Sequence, residues 1–456
     1  YMKKQKYKYL ILIMLLYILP ISIWGVVPLS LDSCIQLAQT NNKQIIQANI
    51  NIHKAQQVKQ QAFTKYFPQV SASAMGFHSL YPMVEVGIND LENATVRDIL
   101  TTLYGNYGAA LGLENSLTLF QHGYQVGITA LQPVYMGGKI VTGNKLADLG
   151  VQAAQLQSQI TSRDVIQEVE ECYWLVVGLN DKQQTLNTTT LLLDTLHQTI
   201  EQAVISGLAL QTDLLQVELK QLEIQRTQIQ LTNGLELAKR ALCLALGIPF
   251  NDSIQVDSLQ HLPIDEASLS PIHVAKTPEH QLLDLQVNAA KLQHKMVVAE
   301  ALPQIAIGAH YGYGKMQANL LKEGLGNKSG NGALFVTISV PLTSWWETSY
   351  KIKEQESNIE QSQLQQQHIG QMLDMRTQQA YNQLGEALLL VNQNEKAKQI
   401  ALQNYKLVQT AYQAGQKTIS ELLEAQATLL KAKNDLTDAI ISLRVSHRRY
   451  NNLGIN

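Results

Sequence analysis

Residues 203–215 read AVISGLALQTDLL and residues 411–423 read AYQAGQKTISELL. At an offset of 208 the two stretches share Ala203 and Ala411, Gly207 and Gly415, an acid at Asp213 and Glu421, and a closing pair of leucines. The same offset carries Leu131-Gln132-Pro133-Val134 onto Ser339-Val340-Pro341-Leu342. Further upstream Phe67-Pro68-Gln69-Val70 matches Leu302-Pro303-Gln304-Ile305 at an offset of 235, so the first copy holds 27 extra residues between these markers. Both copies close alike, at Leu246-Gly247-Ile248 and Leu453-Gly454-Ile455. The chain therefore reads as a duplication: a first repeat over 29–248, a linker over 249–276 with Pro249, Pro263 and Pro271, and a second repeat over 277–456.

Within each copy the pattern is helix, strand, loop, strand, long helix, turn, long helix. Leu146, Leu149, Ala153, Leu156 and Ile160 step by 3 and 4, as do Val165, Val169, Cys172, Val176 and Leu179, and the seam continues through Leu186, Leu193 and Ile200. No proline interrupts 140–207, which predicts a helix about 100 Å long at ~1.5 Å per residue. Leu214, Val217, Ile224, Leu231, Leu235, Ala238 and Leu242 mark a return helix. Leu422, Ala425, Leu429, Ala432, Leu436 and Leu443 mark its counterpart. The other faces are rich in Gln, Asn and Thr and sparsely charged, which suits a wetted wall and an ordinary solvated surface equally.

The strand candidates alternate instead. Ile305, Ile307, Ala309, Tyr311 and Tyr313 are apolar or aromatic, while Ala306, Gly308, His310 and Gly312 between them are small or polar. Tyr124–Ala130 and Val336–Val340 alternate in the same way, and Val70–His78 does so more weakly. Strands near ten residues with one greasy face suit a transmembrane barrel or a half-buried soluble sheet. Four strands cannot close in lipid, because single-chain barrels need about eight and an open edge leaves backbone groups unsatisfied. Closure then has to come from further copies of the chain, joined by rotational symmetry into a tube. Trp345 and Trp346, just after the last strand, fit an interfacial girdle or plain packing at the strand–helix joint.

Residues 2–24 carry Lys3, Lys4, Lys6 and Lys8 before an apolar run from Leu10, the make-up of a secretory leader over 1–28 with cleavage between Gly25 and Leu31. An uncleaved anchor is the alternative, although the run is shorter than the ~20 residues of a spanning helix. Loss of the four lysines takes the formal net charge from −2 to −6, which implies no nucleic-acid partner. Cys34, Cys172 and Cys243 are odd in number and far apart, with no metal-site or disulfide spacing. Leu31-Asp32-Ser33-Cys34 resembles a lipidation box, but Leu31, Cys34, Ile35 and Ala38 also have the spacing of a helix start.

The ordered set formed by Leu29–Asn42, Phe67-Pro68-Gln69, Gln132-Pro133-Val134-Tyr135-Met136-Gly137-Gly138 and the paired Gly207 and Gly415 turns resembles the TolC-type outer-membrane efflux protein family over 29–456. The resemblance implies a mainly α fold with a small β part. Long coiled-coil-like hairpins would form a periplasmic α-barrel, and four transmembrane strands per chain would make a 12-stranded barrel in a homotrimer in outer-membrane lipid. It further implies docking onto a periplasmic adaptor (membrane fusion protein) coupled to an inner-membrane transporter, in efflux or type I secretion. By position, Gly207, Leu208, Gly415 and Gln416 correspond to adaptor-contact tips. Asp213, Tyr412 and Lys417 correspond to an acid, a tyrosine and an arginine that tie neighbouring helices shut. Lys417 keeps the charge of that arginine without its bidentate fork. Glu421 and Glu424 correspond to acidic rings at the entrance, and their i, i+3 spacing shares one helix face. The same residues have a local reading: Thr418 and Glu421 form a capping box, and Thr212 with Asp213 a cap and first-turn acid.

Two further expectations concern the loops: Ser79–Gln121 is long, with helical character over Asn89–Leu103, and Lys315–Gly332 reads as a plain flexible connection. No phosphate loop, metal cluster or nucleophile–base arrangement points to catalysis, a cofactor or a metal. The rival to a channel is a periplasmic coiled-coil adaptor or scaffold without pore activity, which would need one hairpin rather than two.

Overall fold

In the computed structural model the heptad seams become helices of 67 and 69 residues, α4 (Lys139–Ile205) and α7 (Trp345–Gln413), each followed by a 36-residue return helix, α5 (Gln211–Leu246) and α8 (Ile419–Gly454). Shorter helices α1 (Leu31–Asn41), α2 (Lys43–Thr64) and α6 (Pro278–Glu300) precede the strands of the two copies. The structure describes residues 29–81, 84–111, 113–250, 254–259, 277–321, 325–342 and 345–454. The expected leader and most of the linker lie outside them. Among the described residues no helix is long and apolar enough to cross a membrane.

The chain divides into two units, each built from both sequence copies, and α2, α4, α6 and α7 contribute to both. The helical unit takes residues 29–51, 156–281 and 368–456. One core cluster joins Cys34 and Ala38 of α1 to Val165, Val169, Tyr173 and Val176 of α4 and to Leu242 and Leu246 of α5. A second joins Leu186, Leu193 and Ile200 to Leu214, Val217 and Ile224 and to Ile419 and Leu422. These are the heptad positions, so 3.5-residue spacing decides which side chains leave water. Cys34 is fully buried, and burial with the nearby Asp257 charge pushes its thiol up to about 11. It lies on the inner side of a helix capped by Ser30, whose hydroxyl accepts from the Ser33 amide.

Glu170 is a buried acid in this unit, 5% exposed, with Arg448 Nε 3.1 Å from its carboxylate. Burial, aided by the charge of Asp32, outweighs Arg448 and raises its pKa. Gly247 ends α5 at φ +73°, donating to the Leu244 carbonyl while Ile248 donates to that of Cys243. A Cβ there would strike the Asn41 carbonyl oxygen, so both conformation and close approach require glycine.

The sheet unit takes 52–155 and 282–367. Its strands β1 (Gln69–His78), β2 (Val84–Gly87), β3 (Leu113–Met136), β4 (Gln304–Leu321) and β5 (Leu325–Ser339) are all antiparallel, in the order β1-β3-β4-β5, with β2 also on β3. Two expectations are corrected. Strands β3, β4 and β5 hold 24, 18 and 15 residues rather than about ten. Within the stretch expected as a flexible connection, residues 315–321 and 325–332 are paired strand: Lys315 pairs with Lys328, Gln317 with Gly326 and Ala318 with Leu325. Backbone pairing continues there without any hydrophobic alternation to announce it. The 79–121 segment holds β2, a 3₁₀ turn and α3 (Ala94–Leu111) before β3 begins.

Candidate functional site

Cross-strand register sorts the sheet into two faces, since successive side chains point to opposite sides. On one face Ser71 stands opposite Thr129 and Ser73 opposite Gly127; Thr129 in turn pairs with His310, and Gly127 with Gly312. The Thr129 hydroxyl and His310 Nδ1 are 2.9 Å apart, and the imidazole lies over Gly127 and Gly312, where a Cβ would come within 2.8 Å of it. Phe335 covers Gly308 in the same way, its ring in the space a Cβ would take. Glycine in these strands thus makes room for a cross-strand ring on the polar face.

The opposite face carries Val70, Val126, Ile128, Ile307, Tyr311, Leu334, Val336 and Ile338, all exposed, with Leu334 at 87%. A continuous exposed apolar surface of this kind belongs against lipid or another protein. At the strand–helix joint Phe63, Tyr66, Phe67, Tyr135 and Trp346 are also exposed, aromatic side chains of the kind that gather at a membrane interface.

The helix turns form the second element. Gly207 and Gly415 both have φ +73°. Leu208 donates to the Ala203 carbonyl and Gly207 to that of Val204; Gln416 and Gly415 repeat this with Ala411 and Tyr412. Both turns are Schellman caps, closed by the left-handed residue that glycine supplies without strain. Their surfaces differ. Ile205, Leu208 and Leu210 are exposed at the first tip, whereas Gln413, Gln416 and Thr418 occupy the matching places at the second. Of these three apolar residues the sequence reading singled out only Leu208; comparison of the copies at the 208-residue offset marks Ile205 and Leu210 as well.

Each return helix starts with an acid at its third position. The Glu421 carboxylate accepts from the Thr418 amide at 2.8 Å, while the Thr418 hydroxyl accepts from the Glu421 amide at 3.4 Å, which is the expected capping box. Asp213 accepts from the Leu210 amide at 3.3 Å. The N-cap there is Leu210, not Thr212, so the first copy keeps only the backbone-to-acid half of the box. Replacing Thr418 by Ala is expected to cost about 1 kcal/mol and to fray the first turn of α8, read as faster amide exchange at Glu421, with no change at Asp213.

Lys417 forms an ion pair with Glu421 of its own helix start. The Lys417 hydrogen bond, followed by that from the Thr418 amide, lowers the Glu421 carboxyl to about 2. Tyr412 packs on the cluster around Leu214 and Leu422. Its phenol is raised first by burial and then by the charge of Asp213. Ser420 donates to Gln216 at 2.7 Å, joining the starts of the two return helices. Glu424 is exposed one turn beyond Glu421. The structure therefore gathers Asp213, Tyr412, Lys417, Glu421 and Glu424 at one end of the hairpins, with Lys417 on Glu421 rather than on Asp213.

The outer membrane efflux protein family matches residues 34–248 and 275–447. The chain belongs to that family, and is an outer-membrane protein with a large periplasmic helical part. Similar solved structures are the CmeC outer membrane channel of Campylobacter jejuni (TM-score 0.76, 14% identity, 93% of this chain and 85% of that one), VceC of Vibrio cholerae (0.73, 15%, 93% and 96%) and the open MtrE channel of Neisseria gonorrhoeae (0.69, 14%, 93% and 88%). At these identities they establish the shared fold. No curated protein sequence matches significantly.

Proposed function

We propose that three copies of this chain close into one outer-membrane export channel, fed from an inner-membrane transporter through a periplasmic adaptor and gated at the helix tips. The observation that carries this reading is the two-faced sheet: one face exposed and apolar, the other small and polar, with β1 and β5 left as open edges. In lipid such edges have to be paired, and β1 of one copy on β5 of the next satisfies both. The helical unit also carries uncovered apolar stripes, Leu215, Leu219, Leu222 and Ile229 on α5 and Leu389, Ile400 and Leu407 on α7. Their spacing suits helices of neighbouring copies.

The two-repeat layout with a cleaved leader belongs to the same proposal. Gly207 and Leu208, and Gly415 and Gln416, are the adaptor-contact tips, the first apolar and the second polar. Asp213, Tyr412 and Lys417 tie the tips, and Glu421 with Glu424 supplies the entrance rings. Since Glu421 is held near 2, it stays ionised throughout the physiological range. Replacing Glu421 and Glu424 together by Gln is expected to lower the cation preference of single channels in planar bilayers. Unchanged selectivity would remove the rings from the proposal.

A further inference from the structure

Away from both the sheet and the tips, the helical unit contains a polar cavity of about 330 Å3 where α4, α7 and the end of α8 converge. That volume lies at the low end for small-molecule sites. Its lining includes Arg163, Asp164, Arg376, Arg449 and Asn452. Three guanidinium groups stand on the lining, but Asp164 and Glu279 beside Arg163 and Glu171 beside Arg449 balance the charge, leaving Arg376 as the exposed cation.

Two of the arginines are partly engaged. Arg163 pairs with Glu279 and, at 3.3 Å, with Asp164, and donates to the Asn452 backbone carbonyl at 3.5 Å. Arg449 places Nε and one terminal nitrogen on Glu171 at 3.0 and 2.8 Å. Its other terminal nitrogen makes no bond to Glu171, and Arg376 is exposed.

Asn452 is 2% exposed, and neither its amide nitrogen nor its amide oxygen has a hydrogen-bond partner. A buried amide left unpaired at both ends is costly, and each such group calls for an explanation. With the closing Leu-Gly-Ile markers of the two copies aligned, the matching residue of the first copy is Ala245, 3% exposed. The second copy therefore holds a polar amide at a buried place where the first holds a small apolar side chain.

We propose that this cavity binds a small oxyanion of the hydrogen phosphate type. Its charged oxygens would accept from Arg376, from the remaining donor of Arg449 and from the Asn452 amide nitrogen. Its hydroxyl would donate to the Asn452 amide oxygen. Hydrogen phosphate offers both acceptors and a donor, as the two idle ends of Asn452 demand; chloride offers no donor.

The test uses the full-length protein in detergent, titrated with inorganic phosphate against potassium chloride at matched ionic strength and followed by calorimetry and thermal midpoint. Phosphate is expected to bind and to raise the midpoint beyond the chloride control. Arg376→Gln is expected to weaken binding about tenfold to a hundredfold. Asn452→Leu is expected to abolish phosphate stabilisation without lowering the midpoint in chloride, because it removes the unpaired amide. No phosphate effect beyond chloride, or equal binding by both variants, overturns the site. A loss of assembly in Arg376→Glu, with no phosphate binding by wild type, would assign the cavity to an acidic group of a neighbouring copy and equally overturn it. Each variant is checked for conductance, so failure of the cavity proposal is distinguished from failure of the channel.

Discussion

Replacing Ile128 by Arg is expected to prevent recovery of assembled protein from outer membranes, while Ser73→Arg is tolerated. Ile128 lies on the apolar face and is 53% exposed in the single chain. Ser73 stands opposite Gly127, the residue before Ile128, and therefore on the other face. A guanidinium on the lipid side of a barrel costs roughly 2–4 kcal/mol at the membrane midplane and less toward its edges. The cost recurs in every copy of a closed assembly. On the polar side the same group remains in water. Heat-modifiable migration of detergent-extracted protein and urea titration in vesicles read the difference. If both variants assembled equally well, the apolar face would not be facing lipid.

The second large effect is expected at Arg448. With Arg448→Met, Glu170 keeps its burial and loses its cationic neighbour. Breaking such a pair from one side typically costs 3–5 kcal/mol, and the partial exposure of Arg448, 30%, points to the lower end. The pH dependence has a defined sign. Glu170 already has a raised pKa in the folded chain, and without Arg448 it rises further. A raised carboxyl favours the folded state when protonated, so this contribution is fully present below the unfolded value and is lost as pH rises through the folded one. The variant's deficit should therefore be largest at neutral pH and shrink on acidification through the window above the ordinary carboxylate value. The double variant with Glu170→Gln should recover most of the loss at neutral pH. A deficit independent of pH would mean that lost packing, rather than an uncompensated charge, is responsible. Denaturation midpoints across pH for the unmutated protein and the two variants decide this.

The parts of the fold readable in advance are those whose periodicity reaches the side chains. Leu193, Ile200, Val217 and Leu242 sit at heptad places and are all buried. Farther up α4, Leu146, Leu149 and Leu156 share the seam but are only half-buried in the single chain, because a heptad announces a neighbouring helix without saying whose. The alternation of Ile305–Tyr313 gave both the strand and its faces. Strand length was not readable, because the Gly-, Asn- and Lys-rich stretch 315–332 pairs through its backbone and its composition resembles a loop. At the tips, Gly207, Gly415 and the Thr418–Glu421 box were visible as residue types. Leu210 as an N-cap was not, since nothing in a leucine's chemistry announces that role. The polar cavity was invisible for another reason: Arg163, Arg376 and Asn452 meet only through tertiary packing.

The unpaired edges at β1 and β5 also bear on gene dosage. In the proposed trimer the backbone groups that complete the sheet belong to different molecules, so the stability of the membrane part is not a property of one polypeptide. It depends on how many copies are present together, and assembled pore rises more steeply than in proportion to synthesis. In that assembly a modest fall in expression removes a larger share of the closed channels than of the chains.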